Sequence, residues 1–187
     1  MGSLVAAKDP AKALALMDRS AEVVRQTSFG NQNGKEMRMV YLTESVTPLV
    51  ALGRLDQAKR HTDEARKMVE LGEVDKESET RVFRKEAEWM YKAGRQREAL
   101  QAALRVKDWV SRNVRMETLS SGYQLILALE AIQTYARTIE PSVCKQATEQ
   151  AADFWDKAQS SYQTSEIVKS KARVAKARAE DPAHCVN

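Results

Sequence analysis

Apolar residues recur at three- and four-residue intervals along most of the chain, and each run of this period closes on a turn signal. In residues 10 to 27, Ala13, Leu14, Leu16, Met17, Ala21 and Val24 form such a stripe. Pro10 suits a first helical turn behind Asp9, a residue type that caps helix starts. Ser28 to Gly34 gathers two glycines, two asparagines and a serine, and reads as a loop. A second helix is expected from Lys35 to Leu52, with Met39, Leu42, Val46, Leu49 and Val50 inward. Pro48 inside it should kink or break the hydrogen bonding. Gly53 stops that helix, a third runs from Asp56 to Leu71, and Gly72 ends it as a C-cap.

Glu73 to Ser78 is polar and reads as a connector. A fourth helix carries Val82, Phe83, Ala87, Trp89, Met90 and Tyr91 up to the Gly94 turn, and a fifth spans Gln96 to Val114. The pattern from Met116 to Ile139 holds Leu119, Tyr123, Ile126, Leu127, Leu129, Ile132 and Tyr135. Pro141 opens a helix through Ser161, and Glu166 to Ala179 forms a last, polar one. Composition agrees with this all-α reading. Among 187 residues there are 7 glycines and 4 prolines, too few for a turn-rich β fold, while 43% apolar residues suffice for a core.

The turns repeat. Gly53-Arg54 followed by Ala58 is echoed by Gly94-Arg95 followed by Ala99. Anchoring on the small residue after each turn extends the series to Ala13, Ala58, Ala99 and Cys144, 41 to 45 residues apart. Four residues on come Met17, Thr62, Ala103 and Thr148; seven on come Ser20, Ala65, Val106 and Ala151. Ten and eleven on come Val23/Val24, Met68/Val69, Trp109/Val110 and Phe154/Trp155. A helix face that is small near its start and bulky near its end lets a partner helix approach closely at one end only.

Gly53, Ala58 and Ala65, with Gly94 and Ala99, resemble the tetratricopeptide repeat family, in which a glycine precedes the second helix of each unit and small residues follow at these offsets. The resemblance implies an all-α fold of antiparallel hairpins stacked as a right-handed solenoid, about seven to eight helices in one domain over 1–187. The hairpin units would fall at roughly 1–34, 35–72, 75–114 and 115–162, with a capping helix over 165–180. These units exceed the usual length of about 34 residues, so a long-helix variant is expected. Ala13 and Cys144 lack the preceding glycine.

The resemblance further implies a groove made by the first helix of each hairpin. Its positions here are Val40, Thr43, Thr47 and Val50, then Arg81, Arg84, Lys85, Glu88 and Tyr91. Arg81, Arg84, Lys85 and Glu88 share one helix face, where three cations can pair with carboxylates or phosphates, or with Glu88 alone. Thr43, Thr47, Arg81, Arg84, Lys85, Glu88 and Tyr91 are therefore the expected peptide-binding residues. The family's carboxylate clamp also needs asparagines on these helices, and the asparagines stand at 31, 33, 113 and 187. Recognition of a chaperone C-terminal tail is disfavoured.

A formal charge of +4 is mildly basic. Arg95, Arg97, Arg105, Lys107, Arg112 and Arg115 flank Trp109, and Lys169, Lys171, Arg173, Lys176 and Arg178 make the last helix basic. Nucleic-acid binding is thus an alternative, although mixed charge of this kind usually marks solvated faces and Trp109 aligns with packing positions. Homo-oligomerisation through end helices is another. Catalytic signals are thin: His61 and His184 are the histidines, and the Gly30/Gly34 segment lacks the Lys-Ser/Thr that follows a phosphate loop. No catalytic, cofactor or metal site is expected.

Cys144 and Cys185 form no CxxC motif. They are read as a buried thiol and a tail residue, with a reducing cytoplasm as the expected compartment. The start lacks the features of a signal peptide, and Met1-Gly2-Ser3 reads as a cloning remnant. No stretch approaches the roughly 18 apolar residues of a membrane span. The resulting expectation is a non-catalytic scaffold or adaptor that binds a protein or peptide, within a larger bacterial regulatory protein of the kind to which similar arrays are fused.

Overall fold

The computed structural model describes residues 8–28, 32–75, 78–113, 119–161 and 166–186. The expected loop tip at 29–31, the connector residues 76 and 77, Arg115, Met116 and both chain ends lie outside this set. Most of the described residues are helical, with α1 Pro10–Ser28, α2 Gln32–Glu44, α3 Val46–Ala51, α4 Leu55–Glu70, α5 Ser78–Lys92, α6 Gln96–Asn113, α7 Leu119–Ala136, α8 Pro141–Ser161 and α9 Glu166–Glu180. The chain divides into two compact units, Met1–Arg95 and Gln96–Asn187. The division falls just after the Gly94 turn, within the stretch read from sequence as the third hairpin.

Local chemistry accounts for the helix ends. The Asp9 side chain accepts the Lys12 amide at 3.0 Å, and its carbonyl accepts the Ala13 amide, so Asp9 caps α1. Gly53, Gly72 and Gly94 have φ of 71°, 65° and 78°. At each, the glycine amide bonds three residues back and the next amide five back: Gly53 to Val50 and Arg54 to Leu49, Gly72 to Val69 and Glu73 to Met68, Gly94 to Tyr91 and Arg95 to Met90. These are three Schellman caps. A Cβ would meet nothing within 4 Å at any of them. The glycine requirement is therefore one of dihedral alone, worth about 1–2 kcal/mol.

Pro48 acts as expected but one turn upstream. It has no amide to give the Glu44 carbonyl, and the helix is interrupted at Ser45 between α2 and α3. The loop expected through Gly34 ends sooner: α2 starts at Gln32, and Gly34 is buried in its first turn.

In unit 1, α3 packs on α1, α4 and α5, while α2 packs on α1, α4 and α5. Two cores result. Leu14, Val46, Leu49, Val50, Ala58 and Trp89 form one; Met39, Leu42, Ala65, Met68, Val74 and Val82 form the other. Leu16, read as part of the α1 stripe, is instead 48% exposed, because Ala13 and Leu14 supply that helix's buried edge.

In unit 2 the packing runs between chain neighbours, α6 on α7, α7 on α8 and α8 on α9. The small-residue series is buried here as in unit 1. Ala99, Ala103 and Val106 of α6, and Cys144, Thr148 and Ala151 of α8, are all enclosed, as are Ala58, Thr62 and Ala65 of α4. The series weakens in α1, where Ser20 is exposed. Gly122 of α7 lies against α8: a Cβ there would stand 2.2 Å from the Phe154 ring. At the bulky end of α6, Val110 is fully buried and Trp109 only half-buried, so the core position falls one residue later than expected. Tyr123, read as part of the α7 stripe, is 54% exposed.

The two cysteines are joined. Cys144 and Cys185 form a disulfide that ties the segment after α9 to the start of α8. This overturns the reading of a free buried thiol and with it the step from free cysteines to a reducing compartment. Close spacing in sequence was the missing cue; the partners are 41 residues apart and are brought together by the return of α9 along α8.

Candidate functional site

The residues expected to line a groove are on α2, α3 and α5 of unit 1, and the structure uses several of them internally. Thr43 is fully buried, and its hydroxyl donates back to the Met39 carbonyl at 2.8 Å. It therefore has no surface to offer a ligand, and its place in the expected site is corrected. Thr47 accepts a hydrogen bond from Lys85 Nζ at 2.6 Å and donates one to Glu88 Oε2 at 2.9 Å. Lys85 lies 3.3 Å from that same carboxylate oxygen and 3.9 Å from Glu44, with only 10% of its side chain exposed.

Thr47, Lys85 and Glu88 are thus brought together as a polar clasp between α3 and α5. Sequence spacing put Lys85 and Glu88 on one face; it could not show that Thr47, across the helix packing, completes the set. Arg81, Arg84 and Tyr91 are half-buried on the same helix.

Other groups unmarked by the sequence meet in unit 1. Arg66 of α4 grips Glu86 of α5 through both guanidinium arms, Nε at 2.9 Å from Oε1 and the second arm on Oε2, and lies over the Phe83 ring. The Glu86 carboxylate is 6% exposed, so this pair is enclosed on its acidic side. Trp89 Nε1 donates to the buried Thr62 hydroxyl at 3.1 Å.

A cleft of about 590 Å³ opens between α1, α2 and α4. Its apolar lining comes from Ala21, Val24, Met37, Leu42 and Tyr41; its charged lining comes from Arg25, Lys35, Arg38, Glu64 and Glu73. His61 completes the wall. Its Nδ1 shares a 2.7 Å hydrogen bond with the fully buried Ser45, and its ring lies 5.5 Å from that of Tyr41. Burial is the main cause that holds the imidazole below its ordinary pKa, against the opposing pull of the Glu64 and Asp18 carboxylates. Burial and a 2.9 Å hydrogen bond to Asp18 push the Tyr41 phenol up to about 12. Both side chains are therefore uncharged at neutral pH.

Two of the cleft's cations are engaged: Arg25 with Glu22 at 2.7 Å, and Arg38 with Glu64 through two nitrogens. Lys35 and the Glu73 carboxylate have no ion-pair partner among the described residues. No single sequence motif marked this cleft, because its lining is drawn from three helices and the turn that follows the last of them.

Several cations of the basic tracts in unit 2 have acidic neighbours. Lys169 pairs with Glu166 at 2.8 Å, Lys176 lies 3.8 Å from Glu180, Lys171 lies 3.9 Å from Glu130, and Arg112 lies 3.9 Å from Asp108. Among the described residues no cluster of three His, Cys, Asp or Glu side chains could hold a metal, and no helix is long and apolar enough to cross a membrane. Comparison with protein-family models, with curated proteins and with solved structures returns no match for this chain.

Proposed function

We propose that this chain is a non-catalytic binding module, built of helical hairpins on the plan of a long-helix tetratricopeptide array, that holds a protein segment against α5. The observation that carries the reading is the Thr47–Lys85–Glu88 clasp. It joins two helices that the repeat pattern makes the first helices of successive hairpins, and it fixes the face on which Arg81, Arg84 and Tyr91 stand.

In this reading Arg81, Arg84 and Tyr91 touch the partner, while Thr47, Lys85 and Glu88 hold the face in shape. Two arginines of fixed, forked geometry favour a segment bearing carboxylates. The buried small-residue series in α4, α6 and α8 supports the repeat plan, since the same small edge is enclosed in each of these helices.

Selection from a displayed library of random peptides tests the proposal. Acidic peptides should be enriched, and binding should be lost in an Arg81→Glu, Arg84→Glu double variant with an unchanged helical spectrum. Enrichment without acidic bias, or binding indifferent to the charge reversal, removes α5 as the contact face.

A further inference from the structure

The unit 1 cleft has a chemical character of its own, and it shares no lining residue with the α5 face. Its volume of about 590 Å³ is in the range of small-molecule sites. Apolar side chains from α1 and α2 supply most of the uncharged wall, with Tyr41 and His61 neutral beside them.

The charged residues of the lining fall into two groups. Arg25 and Arg38 already hold carboxylates, whereas Lys35 and Glu73 hold none among the described residues. Gln32 Nε2 reaches the Glu73 carbonyl at 3.5 Å, which sets Glu73 against the first turn of α2, one turn of helix from Lys35. A cation and an anion with no ion-pair partner among the described residues thus line one cleft together with the apolar side chains of Ala21, Val24, Met37 and Leu42. A ligand with only one charge would satisfy one of them and leave the other facing it unmatched.

We propose that the cleft binds a small zwitterion with a large apolar side chain, an aromatic α-amino acid in class. The carboxylate of the ligand faces Lys35, its ammonium faces Glu73, and its side chain lies along Val24, Met37 and Leu42. This assigns unit 1 a ligand-sensing or ligand-carrying role in addition to partner binding.

The test titrates the full chain with L-tryptophan, N-acetyl-L-tryptophan and tryptamine. Binding is followed through the Met37 methyl resonance of methyl-labelled protein, with the other methionines as internal references. Tryptophan should shift Met37 selectively. Removing either ligand charge should weaken binding by about tenfold or more, the usual scale of a charge-assisted hydrogen bond.

Lys35→Glu and Glu73→Lys should each weaken tryptophan to a similar degree. Glu73→Lys should narrow the gap between N-acetyl-tryptophan and tryptophan, because the ammonium no longer has a carboxylate to meet. Val24→Trp, which fills the cleft, should abolish the Met37 shift. Hydrogen exchange of α2 and α4 confirms that each variant is folded. Equal affinity for all three ligands, tryptophan binding unaffected in Lys35→Glu, or no selective Met37 shift at millimolar tryptophan would each overturn the assignment.

Discussion

The two units of this chain carry the same buried small-residue series, yet they are secured by different chemistry. Unit 1 has side-chain links between helices that are specific and polar: Arg66 to Glu86, Trp89 to Thr62, Lys85 and Glu88 to Thr47, His61 to Ser45. Unit 2 has a covalent bond, Cys144 to Cys185, and a helix contact at Gly122 where an added methyl group would overlap the Phe154 ring. A polar link contributes fully only while water is kept from it and both partners stay in place. A disulfide acts chiefly by restricting the unfolded chain, whatever surrounds it. Unit 1 should therefore respond to point changes in charge and to pH, and unit 2 to reductant and to side-chain volume.

The largest expected effect is on unit 2. Reducing the disulfide, or replacing both cysteines by serine, should cost about 4 kcal/mol by the loop-entropy estimate for a closure of this length. Amide exchange resolved by region should show protection falling in α8 and α9 while α2 to α5 keep theirs. Equal loss in both halves would mean that the units do not differ in this way.

Arg66→Ala is the counterpart in unit 1. It strands the enclosed Glu86 carboxylate, and the arginine's own partial exposure lowers the cost from that of a wholly buried pair to about 2–3 kcal/mol. Arg66→Met with Glu86→Leu should recover much of the loss, measured by urea denaturation, because no unpaired charge then remains.

A smaller effect, about 1–2 kcal/mol, is expected from Gly122→Ala, whose new methyl group runs into Phe154. Phe154→Leu in the same chain should relieve it. If the alanine instead stabilises α7 through its better helix propensity, the helices are free to separate.

The smallest effect is the pH response of unit 1. The pKa of His61 is depressed in the fold, so its contribution is present above the unfolded value near 6.5 and is lost as pH falls through the lowered folded value. His184 of unit 2 is shifted the same way, by burial and by the Arg178 and Arg137 charges. His61→Gln should therefore flatten the acid limb of unit 1 alone, read from exchange in α2 and α4 between pH 7 and 5. An unchanged limb would assign the acid sensitivity to other groups.

How far the sequence could be read depended on the range of the interaction involved. The Asp9 cap, the three glycine caps and the Pro141 helix start each depend on residues within about five positions of one another, and all were legible. The inward residues Met39, Leu42, Val46, Leu49 and Val50 were legible for the same reason, since helical period places them on one side. The candidate face on α5 was half legible. Spacing put Lys85 and Glu88 together, but burial of Thr43 and recruitment of Thr47 followed from how α3 packs on α5.

By itself, then, the amino-acid sequence determined an all-helical chain, the places where its helices stop, and the repeated small edge along which they pack. Those properties follow from backbone dihedrals, missing amides and side-chain size, all of which act locally. Only the tertiary structure decided that Cys144 meets Cys185, that Arg66 encloses Glu86, and that Lys35 and Glu73 line one cleft. Each of these brings together residues 20 to 41 positions apart through helix packing. The energy of such a contact depends on distance and on exclusion of water, and neither is written in the order of residues along a helix.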